Sequence, residues 1–423
     1  MENLLVNKVA AVKEVRQAAE YQKKKQACIL TGLAGSSKPV FFAAADKLLG
    51  GKGSMAFITA SREEIRTYRR ELNYLYPDLP MQELYPVSLP RVQADTQSLE
   101  LQAGRAAALR FLSGEERGIV FITAEALQQK QLRPSGMSGK ALQLAVGEEH
   151  EQRNIAAALL DLGYERTEQV DALGQFCLRG DILDVYPINS STAVRIEWFD
   201  NELDAMRSFD VDTQRSLQTL TSIKIAPLKV DESFSYDADI FEYCAADTMV
   251  VVDEPVHVFS MLEKLDKENK EHASELFGKQ ELIEQLAANG AVLVSALGHS
   301  YLQQLPSLNI PVRAVAPYNK NTNLLVEDLQ NWLAEGITPL IMLSGSIKAR
   351  GFADNLRNYG LKGHFSQKSF EPGVVNVTYG DLDHGFRFWD EEWLLLTEND
   401  IFGMQKRKRL HTKNQGQQLQ YFS

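Results

Sequence analysis

The stretch AlaCysIleLeuThr-GlyLeuAlaGlySerSerLysPro-ValPhePheAlaAlaAla (27–45) decides the fold. A short apolar run (27–31) passes through a glycine-bearing loop (32–39) into an apolar stretch of helix formers (40–45). That is the strand–loop–helix setting of a P-loop, whose pattern is Gly-x-x-x-x-Gly-Lys-Ser/Thr. Gly32 takes the first glycine position and Lys38 the lysine, but Ser37 replaces the second glycine and Pro39 the hydroxyl residue. The glycine permits positive φ and close backbone approach, so serine is costly there. The missing hydroxyl would ligate the Mg²⁺ that neutralises the β- and γ-phosphates. Proline has neither hydroxyl nor N–H, so it removes a metal ligand and a phosphate donor together. These residues read as a turn that feeds a strand into a helix rather than as a working triphosphate site.

Working outward, ValValValAspGluPro (250–255) looks like a Walker-B strand. In a working site Asp253 would hold Mg²⁺ and Glu254 would orient the attacking water. The competing reading is two acids placed at a helix N-terminus, where they suit the dipole. Elsewhere apolar runs alternate with helical patterns. MetAlaPheIleThr (55–59) precedes a Ser61/Glu64 capping box and a helix over 62–75. GlyIleValPheIle (118–122) precedes Thr123 as a cap, with a helix to about Lys130. Further runs lie at 249–253, 291–295 and 340–344. Continuous apolar runs between helices predict buried parallel strands and an α/β class.

Residues 142–228 break that rhythm with shorter, turn-rich runs, and alternation across AsnGlu (201–202) predicts a β-hairpin. This is read as an inserted α+β domain. It holds 15 Asp+Glu against 7 Lys+Arg, whereas residues 25–141 hold 11 against 15. The last hundred residues predict a small α/β domain, with helices at 325–335 and 346–359 and strands at 338–343, 374–378 and 392–397. A basic run, Lys406–Arg409, and a Gln-rich tail (415–420) read as linker.

The whole chain has 423 residues, enough for two to four domains, and 45 Lys+Arg against 56 Asp+Glu, a net charge of −11. Net acidity argues against bare nucleic acid as the main partner, while leaving a local basic face open. Three scattered cysteines (Cys28, Cys177, Cys244) predict a reducing, cytoplasmic setting and no zinc. The apolar runs fall well short of a membrane span, and the charged start carries no secretory signal. No HExxH or GxSxG pattern occurs, so no catalytic or metal-binding residue is assigned. AspHisGlyPheArgPheTrpAsp (383–390) reads as a loop buttressed on the core, with a small recognition site as the alternative.

Three strings together carry a resemblance: the degenerate loop 32–39, LeuArgGlyAspIleLeuAspValTyrPro (178–187), and ArgIleGluTrpPheAspAsnGluLeuAspAlaMetArgSerPheAspValAspThrGlnArgSer (195–216). The chain resembles, over essentially its whole length, the N-terminal part of bacterial transcription-repair coupling factors (Mfd), itself similar to the excision-repair protein UvrB. The resemblance implies a UvrB-like helicase-type parallel-sheet lobe with an inserted α+β domain 2, followed by a small separate α/β domain. It divides the chain into an N-terminal helix packing on lobe 1B (1–24), domain 1A with the degenerate P-loop (25–141), domain 2 (142–228), the remainder of the module, 1B (229–318), a small α/β domain (319–405) and a linker (406–423). In the family the chain continues into an RNA-polymerase-binding domain and an ATP-driven DNA translocase. The resemblance therefore implies an N-terminal fragment, with ATP, Mg²⁺, polymerase and duplex DNA handled by other parts of the parent.

Domain 2 is the part that UvrB uses to bind UvrA, and the family's contact residues fall on Arg179, Arg195 and Phe199. The residue types suit the task, since arginine offers a planar fork for carboxylates and an aromatic anchor supplies buried area. From the residues alone, salt bridges to Asp181 or Glu197 inside the domain are an equal alternative. UvrB's tyrosine-rich, DNA-inserting hairpin has only LeuTyrProValSerLeuProArg (84–91) as its counterpart here. The implied function is a non-catalytic adaptor that recruits UvrA to stalled RNA polymerase in nucleotide excision repair. The rival expectations are a UvrB-like DNA-dependent ATPase and a DNA-binding module acting through the net basic lobe 25–141 and Lys406–Arg409.

Overall fold

The computed structural model describes residues 3–89, 99–133, 141–228, 236–296 and 305–403. The basic run, the Gln-rich tail and the end of the 84–91 stretch lie outside them. The chain divides into two compact units, Met1–Val312 and Arg313–Ser423.

In the first unit, helices α1 (Leu4–Ala10) and α2 (Lys13–Lys23) lead into β1 (Cys28–Thr31) and α3 (Ser37–Leu48). Then come β2 (Met55–Thr59), α4 (Arg62–Leu75), β3 (Met81–Leu84), β4 (Ile119–Thr123) and the short β5 (Gln131–Leu132). The inserted segment holds β6 (Leu142–Ala145), β7 (Glu165–Arg166), β8 (Gln175–Arg179), β9 (Ile182–Val185), β10 (Ala193–Phe199), β11 (Glu202–Phe209), β12 (Ser216–Leu220) and β13 (Ser222–Ile225). The chain returns through β14 (Tyr236–Ala238) to β15 (Met249–Asp253), β16 (Val292–Ser295) and β17 (Ser307–Asn309).

Seven strands form one sheet in the order β17-β1-β16-β15-β2-β4-β3, and every pairing described is parallel. Residues 229–318 thus contribute strands to the same sheet as residues 25–141, with β15 and β16 lying between β1 and β2. Apolar strands such as β2, β4 and β15 have all five residues buried, as a sheet covered on both faces requires. Helix α3 is buried from Ser37 to Asp46, because the sheet lies on one side and α1 and α2 on the other. The N-terminal helices therefore sit chiefly on α3, within 25–141, rather than on 229–318 as expected. Their tie to the later segment includes Gln22, whose amide donates to the Gly290 carbonyl at 2.5 Å. The apolar outer side of α3 explains the choice. Phe42 and Phe121 each meet Phe57 edge-on, at 5.0 and 6.0 Å.

Local signals acted where they were read. Helix α4 starts at the expected capping box, with Glu64 accepting from the Ser61 N–H at 3.2 Å. Thr123 caps its helix, which ends earlier than expected, at Gln128.

The insert is a six-stranded sheet, β12-β11-β10-β9-β8-β7, antiparallel except for the β7–β8 pair. The β10–β11 hairpin turns through Asp200–Asn201, one residue earlier than the expected pair, with Asp200 at φ +58°. Helix Gln152–Asp161 packs Ile155, Ala156 and Leu159 on the inner face against Phe176, Leu183, Val185, Val194, Ile196 and Trp198. By strict alternation the outer face receives Cys177 and Arg179 of β8, Ile182 and Asp184 of β9, and Arg195, Glu197 and Phe199 of β10.

The second unit has its own sheet, β18 (Val312–Ala314), β22 (Phe386–Phe388), β23 (Trp393–Thr397), β19 (Thr338–Leu343), β21 (Val375–Tyr379) and β20 (Gly363–Phe365) in that order. Helices Thr322–Ala334 and Ser346–Asn355 contribute Leu325, Leu329, Ala349 and Ala353 to its core. The 383–390 loop is buttressed as expected, with Phe386 and Phe388 packed on Trp393.

Candidate functional site

Two places carry the sequence-marked residues. The first is the loop between β1 and α3. Gly32 has φ +89°, and a Cβ there would lie 2.4 Å from the Ile310 carbonyl oxygen, so glycine is dictated by the neighbouring strand β17. Ser37 folds back: its hydroxyl donates to the Ala34 carbonyl at 2.7 Å and accepts from the Ala34 N–H at 3.0 Å. The amides of Ser37 and Lys38 donate to the carbonyls of Ala34 and Gly35, each at 3.2 Å. Pro39 falls in the first turn of α3, where its missing N–H has no intrahelical partner to lose.

The Lys38 ammonium lies 2.7 Å from Asp253 Oδ1 and 2.7 Å from Glu254 Oε1. The lysine and both acids are thus brought together, with the one ammonium bonded to both carboxylates. Burial pulls Lys38 toward deprotonation, but the charges and hydrogen bonds of Asp253 and Glu254 outweigh it, so its pKa lies above the ordinary lysine value. Tyr68 of α4 joins the cluster through a hydrogen bond to Asp253, and burial with that carboxylate pushes its phenol pKa well up. Ser36 is bonded to Glu71 of the same helix. Glu254 occupies the N-cap position of helix Pro255–Glu268, as the dipole reading expects, but makes no side-chain cap; its carboxylate turns to Lys38 and to the Ala296 N–H at 3.1 Å. The Lys38 ammonium and the Ser37 and Lys38 amides are thus engaged inside the protein, and Pro39 stands where the motif has a hydroxyl. Among the described residues, no group of three or more His, Cys, Asp or Glu is placed to hold a metal. Nor is any described helix long and apolar enough to cross a membrane.

The second place is the outer face of the inserted sheet. Arg195 of β10 stands directly opposite Asp184 of β9, and its Nε and Nη2 meet the two carboxylate oxygens at 2.6 and 2.8 Å. Arg179 of β8 reaches the same Asp184 at 3.3 Å. The expected partners, Asp181 and Glu197, are otherwise engaged. Asp181 lies in the β8–β9 turn and accepts from Gln152, while Glu197 pairs with Arg207 of β11. Register explains the difference, because Asp184 is the carboxylate that pairing sets across from Arg195. The charge-assisted bond to Asp184 raises the already high pKa of Arg195. Phe199 ends β10 with its ring 76% exposed, an unusual cost for so large an apolar side chain, and Ile182 is partly exposed on the same face. Asp184, Ile182 and Arg207 were not singled out from sequence. Their signal was there as two-residue alternation, but the register that joins them was not.

Against known proteins, the family described as the UvrB interaction domain matches residues 142–230. The chain is 24% identical to the transcription-repair-coupling factor of Bacillus subtilis (strain 168) over 460 aligned positions, 90% of this chain and 39% of that protein. A counterpart from Staphylococcus epidermidis is 23% identical over 91% of this chain and 39% of its own length. That of Escherichia coli (strain K12) is 28% identical over 39% of this chain and 14% of that protein. The chain thus spans about 39% of the length of the first of these relatives. The chain is thus similar to transcription-repair-coupling factors along nine-tenths of its length, and its residues 142–230 match the UvrB interaction domain.

Proposed function

We propose that this chain is a non-catalytic adaptor in transcription-coupled excision repair, whose inserted domain docks UvrA through the outer sheet face bearing Arg179, Arg195 and Phe199. The observation that carries the reading is Phe199, held 76% exposed at the end of a paired strand on the same sheet face as Arg179 and Arg195. Exposed aromatics with neighbouring arginines are the usual makings of an interface hot spot. The match of residues 142–230 to the UvrB interaction domain supports the resemblance to the part that UvrB uses to bind UvrA, and with it UvrA as the partner. Contacts with RNA polymerase and duplex DNA would then belong to other segments of a longer protein.

The Lys38–Asp253–Glu254 cluster supports the absence of nucleotide chemistry. Restoring the motif alone, as Ser37→Gly with Pro39→Thr, should not create saturable binding of a fluorescent ATP analogue with Mg²⁺, because Lys38 stays committed. Phosphate release by the native chain, with or without DNA, would favour the ATPase alternative instead. The adaptor reading is tested by binding to purified UvrA. Arg179→Ala, Arg195→Lys and Phe199→Ala should each weaken capture while circular dichroism stays native. Wild-type affinity in all three variants would reject it.

A further inference from the structure

We propose that Asp184 is the positioning residue of the docking face: it fixes Arg195 as an internal strut and leaves Arg179 as the arginine that meets a carboxylate on the partner. The inference rests on the adaptor reading above and refines it.

Asp184 is 2% exposed, so it acts through its neighbours rather than by touching a partner. Both its oxygens are taken by the Arg195 fork, at 2.6 and 2.8 Å. Arg195 Nη2 also donates to Gln214 Oε1 at 3.2 Å, and the guanidinium lies 4.8 Å above the Phe209 ring. A planar fork bound this way has one orientation. The Arg195 side chain keeps only 22% of its surface exposed. Arg179 differs. It makes one 3.3 Å contact with Asp184 and stays 55% exposed, leaving most of its donors outward.

Ile182 pairs with Arg179 across β8–β9 and with Glu197 across β9–β10, and Phe199 lies two residues beyond Glu197. The face therefore presents two apolar side chains beside a half-committed arginine. Its complement is an apolar socket rimmed by a carboxylate, which Arg179 can engage without Arg195 being stripped from Asp184.

The test measures affinity of the full chain for purified UvrA. Asp184→Asn keeps the shape and removes the charge; it should weaken binding tenfold or more with native circular dichroism. In an Arg179→Ala/Arg195→Ala background the same change should cost less than twofold, whereas alongside Phe199→Ala its effect should be undiminished. A merely structural role would give the same loss in every background, and that result overturns the proposal. Wild-type affinity for Asp184→Asn also overturns it and leaves the adaptor reading standing. Should Asp184→Asn fail to fold, Arg195→Lys, which keeps the charge but loses the fork, carries the test: at least fivefold weaker binding supports positioning, and wild-type binding rejects it. Absence of binding by the wild-type chain overturns the adaptor reading and this inference together.

Discussion

The Lys38 ammonium is 2.7 Å from Asp253, a residue 215 positions away in the chain. In a nucleotide-binding loop that ammonium would face phosphate. Here it forms a buried strut between α3 and the end of β15, with Glu254 as its second acid.

Removing the lysine should leave two poorly hydrated carboxylates without their counter-charge. Lys38→Met is expected to destabilise the first unit by about 3 kcal/mol, the range for breaking a buried pair from one side. Adding Asp253→Asn and Glu254→Gln should recover much of the loss. Urea denaturation measures both; a single variant as stable as the parent would show that the strut contributes nothing.

The same strut sets a pH dependence. The folded pKa of Lys38 is raised, so its contribution to stability is fully present below the unfolded value of about 10.4 and fades as pH climbs through the folded value. Melting temperature should therefore fall more steeply above about pH 10.4 in the wild type than in Lys38→Met. Parallel alkaline limbs would contradict the assignment.

Phe199 offers the opposite contrast. Its ring is mostly in solvent, so Phe199→Ala should change stability by no more than about 0.5 kcal/mol. Its effect on UvrA binding should be about 2 kcal/mol, a hot-spot magnitude. Calorimetric melting and a binding titration on one preparation separate the two, and a large stability loss would mean that the ring is packed.

Gly32 is required by the fold itself, at φ +89° against the Ile310 carbonyl. Gly32→Ala must adopt a positive φ and push its methyl group toward the Ile310 carbonyl. A loss of about 2–3 kcal/mol is expected from backbone strain alone. Native stability of this variant by chemical denaturation would show that β17 yields easily.

Much of this was legible in the sequence. The β-α alternation, the Ser61/Glu64 box and the hairpin near Asn201 depend on residues a few positions apart, and such spacing fixes which face a side chain takes. The proposed docking residues were singled out only through the resemblance, because an arginine in an acidic segment reads equally as a salt bridge. The structure shows that Arg195 is in fact bonded within the domain, to Asp184, which sequence spacing had not named.

What the sequence determined by itself is local: the strands and helices, the loss of a hydroxyl at Pro39, and a charge pattern that sets residues 142–228 apart. The tertiary structure decided strand order and charge partners. β16 and β15 enter the sheet between β1 and β2 after an excursion of well over a hundred residues. Only that insertion carries Asp253 to Lys38, and only the β9–β10 register sets Asp184 opposite Arg195. Pairings of this kind arise from burying whole faces against one another, a long-range balance of packing and desolvation that no local spacing encodes.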